Sequence, residues 1–377
     1  MSERASSLRR AMPSVAATVL ALGVCFIAIA VTRVGWGGAA AAYRQMLWGG
    51  IGDLPAFFER GVFSALTRPW GEASVKAALL TFTGLSVAVA FSVGLFNIGA
   101  QGQMLVGALA AAVVGAGVGL PPVLHVPLCI LAAAAGGGLY ALIAAALRLE
   151  RGVHEVLSTI MLNWIAVSLI ESWLVVGPLR AASAGTGSRS GTNPILASAH
   201  LPRMLADGSR LNLGFPMAVV AALLVWVWLY RSWHGFETRT AGLGATAAET
   251  AGIPVRRRIY QAMMLSGALA GVAGAILVMG TEFQYPGILS APYGFDGIAM
   301  AMLGQSNPLG VALVSLVFGV LRAGGTRMQL FGVHKSFPEL IQGLALLLIA
   351  GRGLWERLFA ARARVQPPTK SSAEETL

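Results

Sequence analysis

Residues 126–147 read VPLCILAAAAGGGLYALIAAAL and carry no charged side chain. A helix on the surface of a soluble domain shows a polar face opposite its apolar one, and this stretch has none. About 20 mainly apolar residues are needed to carry a helix across the hydrocarbon core of a bilayer. Only helices or closed barrels satisfy every backbone polar group there. The stretch therefore reads as a membrane span, and working outward from it gives more of the same. Comparable runs occupy 12–32, 77–97, 101–120, 157–178, 213–230, 260–280, 308–322 and 337–351. A shorter apolar stretch, 295–304, is about half a span. Counted as a short or broken helix, it brings the expectation to about ten crossings. The fold class expected is thus an all-α polytopic membrane protein, with some helices broken or short.

Composition agrees with this reading. Of 377 residues, 56% are hydrophobic and only 11% charged, against about a quarter charged in soluble domains. Two cysteines, Cys25 and Cys129, lie inside apolar runs, so no disulfide framework or cysteine-rich metal site is expected. Lysine and arginine number 27 against 16 acidic residues, a net charge of +11. In a soluble chain that excess would point to nucleic acid. Here the basic residues fall between apolar runs, where they hold loops on the cytoplasmic side and contact anionic lipid. No nucleic-acid partner is expected.

Arginine placement and helix parity set an expected orientation. Arg4, Arg9 and Arg10 precede the first run, which is longer than a signal-peptide core and lacks a small-residue cleavage site, so it reads as a retained helix. With residues 1–11 cytoplasmic, segments 148–156, 231–259 and the tail all fall inside. They carry Arg148, Arg151, Arg231, Arg239, Arg256, Arg257, Arg258, Arg352, Arg357, Arg362, Arg364 and Lys370. The transmembrane domain then covers 12–353, and 354–377 forms a basic cytoplasmic tail. Segment 39–66, mixing aromatic and charged residues, is expected along the outer interface as an amphipathic helix. Segment 179–212, rich in Gly, Ser and Pro, is expected as a solvated extracytoplasmic loop.

Catalytic motifs are missing. There is no G-x-x-x-x-G-K-[ST] phosphate loop and no G-x-S-x-G elbow. His154-Glu155 begins like the zinc-protease H-E-x-x-H, but Ser158 stands where the second histidine would bind, leaving an intramembrane hydrolase one ligand short. No metal site is expected. An ion-coupled carrier would need buried ionisable groups. Glu171, Asp296 and Glu339 are the carboxylates nearest the spans, and Glu171 and Glu339 read as water-facing interfacial positions.

Three stretches are unusual for lipid-facing helix. Phe96-Asn97-Ile98-Gly99-Ala100-Gln101-Gly102-Gln103 places three amides and two glycines at a break, either facing a cavity or forming a tight cytoplasmic turn. Ala245–Thr250 reads as a short helix bearing Glu249, stopped by Gly252 and redirected by Ile253-Pro254. On physical grounds alone it is an ordinary connector. Tyr285–Gly310 is broken by Pro286, Pro292, Gly294, Gly297, Gly304 and Pro308 around Asp296, a way to build a site within a membrane. Ahead of it, Gly267, Gly271 and Gly274 permit close helix packing.

FNIGAQGQ at 96–103, HEVLSTIMLNW at 154–164, AAETAGIPVRR at 247–257, LSGALAGVAGA at 265–275 and YGFDGIAMAMLGQSNPLG at 293–310 together resemble a known family. It is that of the inner-membrane permease subunits of binding-protein-dependent ABC importers, in the branch serving simple sugars, nucleosides and branched-chain amino acids. The likeness is greatest to the longer permease of bacterial nucleoside or simple-sugar uptake systems. It implies a type II importer-like permease without an ATPase site of its own, and no cofactor in this chain. ATP and Mg would sit on a partner ATPase. The other implied partners are a homologous second permease (or a second copy of this chain) and an extracytoplasmic substrate-binding protein. By resemblance, Ala247, Ala248, Glu249, Gly252, Ile253 and Pro254 form the coupling segment that docks on the ATPase. Asn97, Gln101, Gln103, Asn163, Phe295 and Asp296 are the expected lining of the translocation path, with Phe96 and Phe295 able to stack on a flat ring. The sequence departs from the family at Gln101, often acidic, at Gln305-Ser306, often Arg-Asn, and near Gly244-Ala245, where an asparagine is usual.

Overall fold

The computed structural model describes residues 2–32, 34–52, 62–181, 191–205, 209–289, 292–334 and 336–350. These form thirteen α-helices: α1 Ser2–Val31, α2 Gly35–Ile51, α3 Val62–Ser92, α4 Ala100–Gly117, α5 Pro122–Arg151, α6 Glu155–Val167, α7 Gly214–Arg231, α8 Trp233–Leu243, α9 Ala245–Thr250, α10 Val255–Leu277, α11 Tyr293–Leu303, α12 Pro308–Met328 and α13 Phe337–Ala350. Wider π-type turns extend α6 over Ser168–Leu174 and α10 over Val278–Glu282. No strand occurs among the described residues; two isolated bridges pair Gly191 with Pro286 and Arg203 with Asn212.

Seven helices among the described residues are long and apolar enough to cross a membrane: α3 to α7 with the π extension of α6, α10 with its own, and α12. The apolar part of α1, Val15–Val31, and that of α13, Phe337–Leu348, are shorter. The half-span expected at 295–304 is α11, only 11 residues long. The chain is therefore an all-helical, multi-pass membrane protein.

α3 and α10 are the two most buried spans and stand at the centre. α10 packs on α5, α4 and α3, while α12 and α11 pack on the far side of α3. Lipid tails are as apolar as leucine, so close backbone approach between small residues does much of the work of association. Gly267 and Gly271 of α10 lie against Gly137 and Ala133 of α5, and Gly274 meets Met104 and Ala108 of α4. A Cβ at any of the three would collide with backbone of the neighbouring helix.

Several expectations need correction. The runs expected at 77–97 and 308–322 were bounded by Lys76 and Arg322, but α3 and α12 continue through both residues. A polar partner inside the bundle lets each helix run on. Segment 39–66 is not one helix: α2 stops at Ile51, Gly52 takes φ +144°, and Val62 begins α3. α2 also buries Met46, Gly49 and Gly50, the two glycines resting on Val320 and Gly324 of α12. The described part of 179–212 is exposed along one side, at Asn193, Leu196 and Met204 among others, and packed along the other. Residues 192, 195 and 201 donate backbone hydrogen bonds to Tyr285, Phe283 and Met279 at 3.1, 2.8 and 3.0 Å. The tail expected at 354–377 lies outside the described residues, as do 53–61 of segment 39–66 and 182–190 and 206–208 of segment 179–212.

Candidate functional site

The turn between α3 and α4 holds the first group of site residues. α3 ends at Ser92, Gly94 takes φ +80°, and α4 starts at Ala100. Within the turn Asn97 is fully buried. Its Nδ2 donates to Gln103 Oε1 at 2.9 Å and to Ser266 Oγ of α10 at 2.8 Å. Its Oδ1 accepts from Gly99 N at 2.9 Å and Gln103 Nε2 at 3.1 Å. Ser266 Oγ in turn donates to the Ser86 carbonyl of α3 at 2.6 Å. Asn163 of α6 accepts from Gly102 N at 2.8 Å and donates to the Ile98 carbonyl at 2.9 Å. These amides, expected to line the translocation path, are buried within this chain: Asn97, Gln103 and Asn163 are 0%, 2% and 3% exposed. They staple α3, α4, α6 and α10 together. Phe96 sits edge-on to Phe91, ring centres 4.8 Å apart.

Directly beside this turn lies the elbow α8–α9–α10. The Gly94 position abuts Gly242 of α8, where a Cβ on either glycine would press on the other segment's backbone. The short helix covers Ala245–Thr250, and Gly252 leaves it with φ +82°. Ile253 N donates to the Ala248 carbonyl at 3.0 Å, closing the turn. Ala248 and Ile253 face inward, whereas Ala247, Glu249, Gly252 and Pro254 are exposed. Leu243, just before the elbow, is 91% exposed. The elbow is braced from behind by a buried ion pair between Glu237 of α8 and Arg258 of α10. Trp233 Nε1 donates to Glu237 at 2.7 Å. Arg258 was expected at the lipid surface with Arg256 and Arg257, yet it is buried against this carboxylate. Arg256 pairs with Glu150 at the end of α5.

The half-helix α11 carries the second group. Gly294 N donates to Gln101 Oε1 at 2.8 Å, and Gly294 rests on the Gln101 backbone, so the break in 96–103 and the broken region 285–310 meet. Asp296 pairs with Arg322 of α12 at 2.7 Å and accepts from Gln342 of α13 at 3.0 Å. Arg322 lies 5.7 Å from the Tyr293 ring centre, and its carbonyl accepts from Lys76 Nζ at 3.0 Å. Lys76 and Arg322 went unnoticed because each stands at the edge of an apolar run, and Gln342 because it is an uncharged residue within one. The signal available was that a carboxylate inside a membrane protein needs a cation nearby. Phe295, next to Asp296, is 44% exposed and shares none of this burial.

His154, Glu155 and Glu171 are held in local structural contacts. His154 caps α6 by accepting from Val156 N at 3.3 Å, and Glu155 pairs with Arg148 at 3.4 Å. Glu171 was read as water-facing; it accepts instead from Leu289 N at 2.9 Å and Tyr285 Oη at 3.3 Å. Among the described residues no three His, Cys, Asp or Glu side chains are grouped to hold a metal ion.

Residues 71–350 match the family model described as branched-chain amino acid transport system, permease component. The chain belongs to this permease family. It is 38% identical over 287 residues to the guanosine ABC transporter permease protein NupP of Bacillus subtilis, covering 74% of this chain and 80% of that protein. It is 33% identical over 305 residues to the glucose ABC transporter permease protein TsgB13 of Haloferax volcanii, covering 78% and 79%. It is 29% identical over 316 residues to the nucleoside ABC transporter permease protein NupB of Lactococcus lactis, covering 82% and 86%. The permease is the membrane subunit of an ABC importer, a family that is not itself enzymatic. That membership replaces the ion-coupled carrier and the hydrolase.

Proposed function

We propose that the permease carries nucleosides or simple sugars inward across the bacterial inner membrane, driven by ATP hydrolysed on a separate subunit. The substrates named for the guanosine, glucose and nucleoside relatives support that class. The elbow at Ala245–Thr250 is the coupling segment. The observation that carries this role is the exposure of Leu243, Ala247, Glu249 and Pro254 on a brace of buried residues. A short rigid helix with an apolar knob beside it suits a groove on a soluble partner. The termini and the elbow lie in the cytoplasm, about ten crossings counting α1, α11 and α13. The partner ATPase holds ATP and Mg, a second permease (homologue or copy) completes the path, and an extracytoplasmic binding protein delivers substrate.

The mechanical route follows from contacts already described. Motion of α9 pulls α8 and α10 as one unit through the Glu237–Arg258 pair. Gly242 bears on the α3–α4 turn at Gly94, and Asn97 links that turn to α10 through Ser266. Gln101 then hands the displacement to α11 at Gly294. Asn97, Gln103 and Asn163 thereby act as linkage, and tight substrate selection falls to the binding protein.

Proteoliposomes holding the complete complex test this reading. Uptake of labelled guanosine or glucose should need internal or external ATP on the ATPase side and survive collapse of the ion gradients. Uptake that follows the ion gradient and ignores ATP would contradict it.

A further inference from the structure

At the end of α3 and α10 remote from the elbow lies a cavity of about 380 Å³. Pockets for small ligands fall at about 300–1,000 Å³. Its polar wall comes from Glu72 and Lys76 of α3, Arg210, Thr281, Glu282 and Tyr293. Its apolar wall comes from Leu79, Leu277 and Leu289, with Ile288, 72% exposed, at the mouth. None of the path residues expected from the sequence lines it.

One buried polar group in this wall is unsatisfied. The buried Thr281 hydroxyl has no hydrogen-bond partner among the described residues, and the half-buried Tyr293 lines the same wall. Buried polar groups are ordinarily paired, so an orphaned hydroxyl in a cavity wall calls for a ligand or water. The charges balance, Glu72 and Glu282 against Lys76 and Arg210, and Glu72 already pairs with Arg210 at 3.2 Å. A balanced wall offers no net field to hold an ion. It does offer donors and acceptors together, which suit hydroxyl groups, and an apolar face, which suits a ring. The roof is fixed: Glu171 holds Leu289 N and Tyr285 Oη, and Thr192 Oγ1 accepts from Tyr285 N at 3.0 Å. Tyr293 also opens α11, three residues before Asp296, so a ligand here touches the half-helix that the elbow reaches through Gln101.

We infer that this cavity is a reception site for an uncharged, hydroxyl-bearing ring, a nucleoside or a sugar, on its way into the path. The inference rests on the substrate class proposed above. Tyr293 and Thr281 donate to the ligand hydroxyls, Glu282 accepts from them, and Leu79 and Leu277 flank the ring.

The test uses the full complex in lipid nanodiscs with Ile288→Cys, since Cys25 and Cys129 are buried. Maleimide labelling at 288 is timed without ligand, with guanosine, with glucose and with guanosine monophosphate, and uptake is measured on the same preparation in liposomes. Guanosine or glucose should slow labelling, and guanosine monophosphate should not. Adding Tyr293→Phe, which keeps the ring beside Arg322, should raise the half-protecting concentration about tenfold, the worth of one lost hydrogen bond. Unchanged labelling by a compound that the preparation imports overturns the site alone. Import of neither compound together with unchanged labelling overturns the site and the substrate class. Equal protection by the monophosphate overturns the preference for an uncharged ligand, and an unaltered half-protecting concentration in Tyr293→Phe removes that residue from it.

Discussion

Asp296 and Arg322 show how one residue's identity depends on another far along the chain. A carboxylate buried alone in a low-dielectric interior is costly, and so is a guanidinium. Joined at 2.7 Å and backed by Gln342, each makes the other tolerable. Removing one partner strands a buried charge, so Asp296→Asn should destabilise the solubilised permease by about 3–5 kcal/mol. The double change Asp296→Leu with Arg322→Met should come close to the parent. Thermal aggregation of the detergent-solubilised protein reads both. Asn97 poses the same question with neutral groups. Asn97→Ala leaves Gln103 and Ser266 short of partners and should cost about 1–3 kcal/mol, visible in the same assay. These pairings were not legible in advance. The sequence shows which residues are polar at membrane depth, but the partners lie anywhere from 6 to 169 positions away and are chosen by packing.

Elements were more legible than their ends. Apolar runs marked every long span, because a bilayer demands about 20 apolar residues of any helix that crosses it. Their limits slipped where a charge inside a helix was read as its end, at Lys76 and Arg322. The elbow was the opposite case. Gly252 and Pro254 punctuate the chain so strongly that the helix over Ala245–Thr250 could be read residue by residue. Glycine spacing in α10 belongs to this scale too. Gly271 touches Ala133 and Gly137 of α5 at backbone distance, and a larger residue must push α5 away. Gly271→Leu should lower stability by about 1–3 kcal/mol through overpacking, with a matching fall in the yield of folded protein on size-exclusion chromatography.

For the whole molecule, the fold joins two ends of a bundle that the sequence treats separately. The elbow bears on the α3–α4 turn, that turn is tied to α10 and α6, and Gln101 ties α4 to α11 beside the polar cavity. The cavity itself was invisible in the sequence, since Glu72, Arg210 and Glu282 come from three distant segments and each alone looks like a surface charge. Leu243 faces away from all of this, 91% exposed. Burying a leucine is worth about 1.5–3 kcal/mol, so Leu243→Asp should weaken co-purification of the ATPase by about tenfold or more while leaving the permease folded. A photo-reactive amino acid placed at Leu243 in living cells gives the decisive measurement. Illumination should yield one principal protein adduct, with the ATPase subunit, and the adduct should change in yield when ATP hydrolysis is arrested. Adducts with lipid alone, or labelling of the same position by a membrane-impermeant reagent added outside the cell, would contradict an importer driven through this elbow.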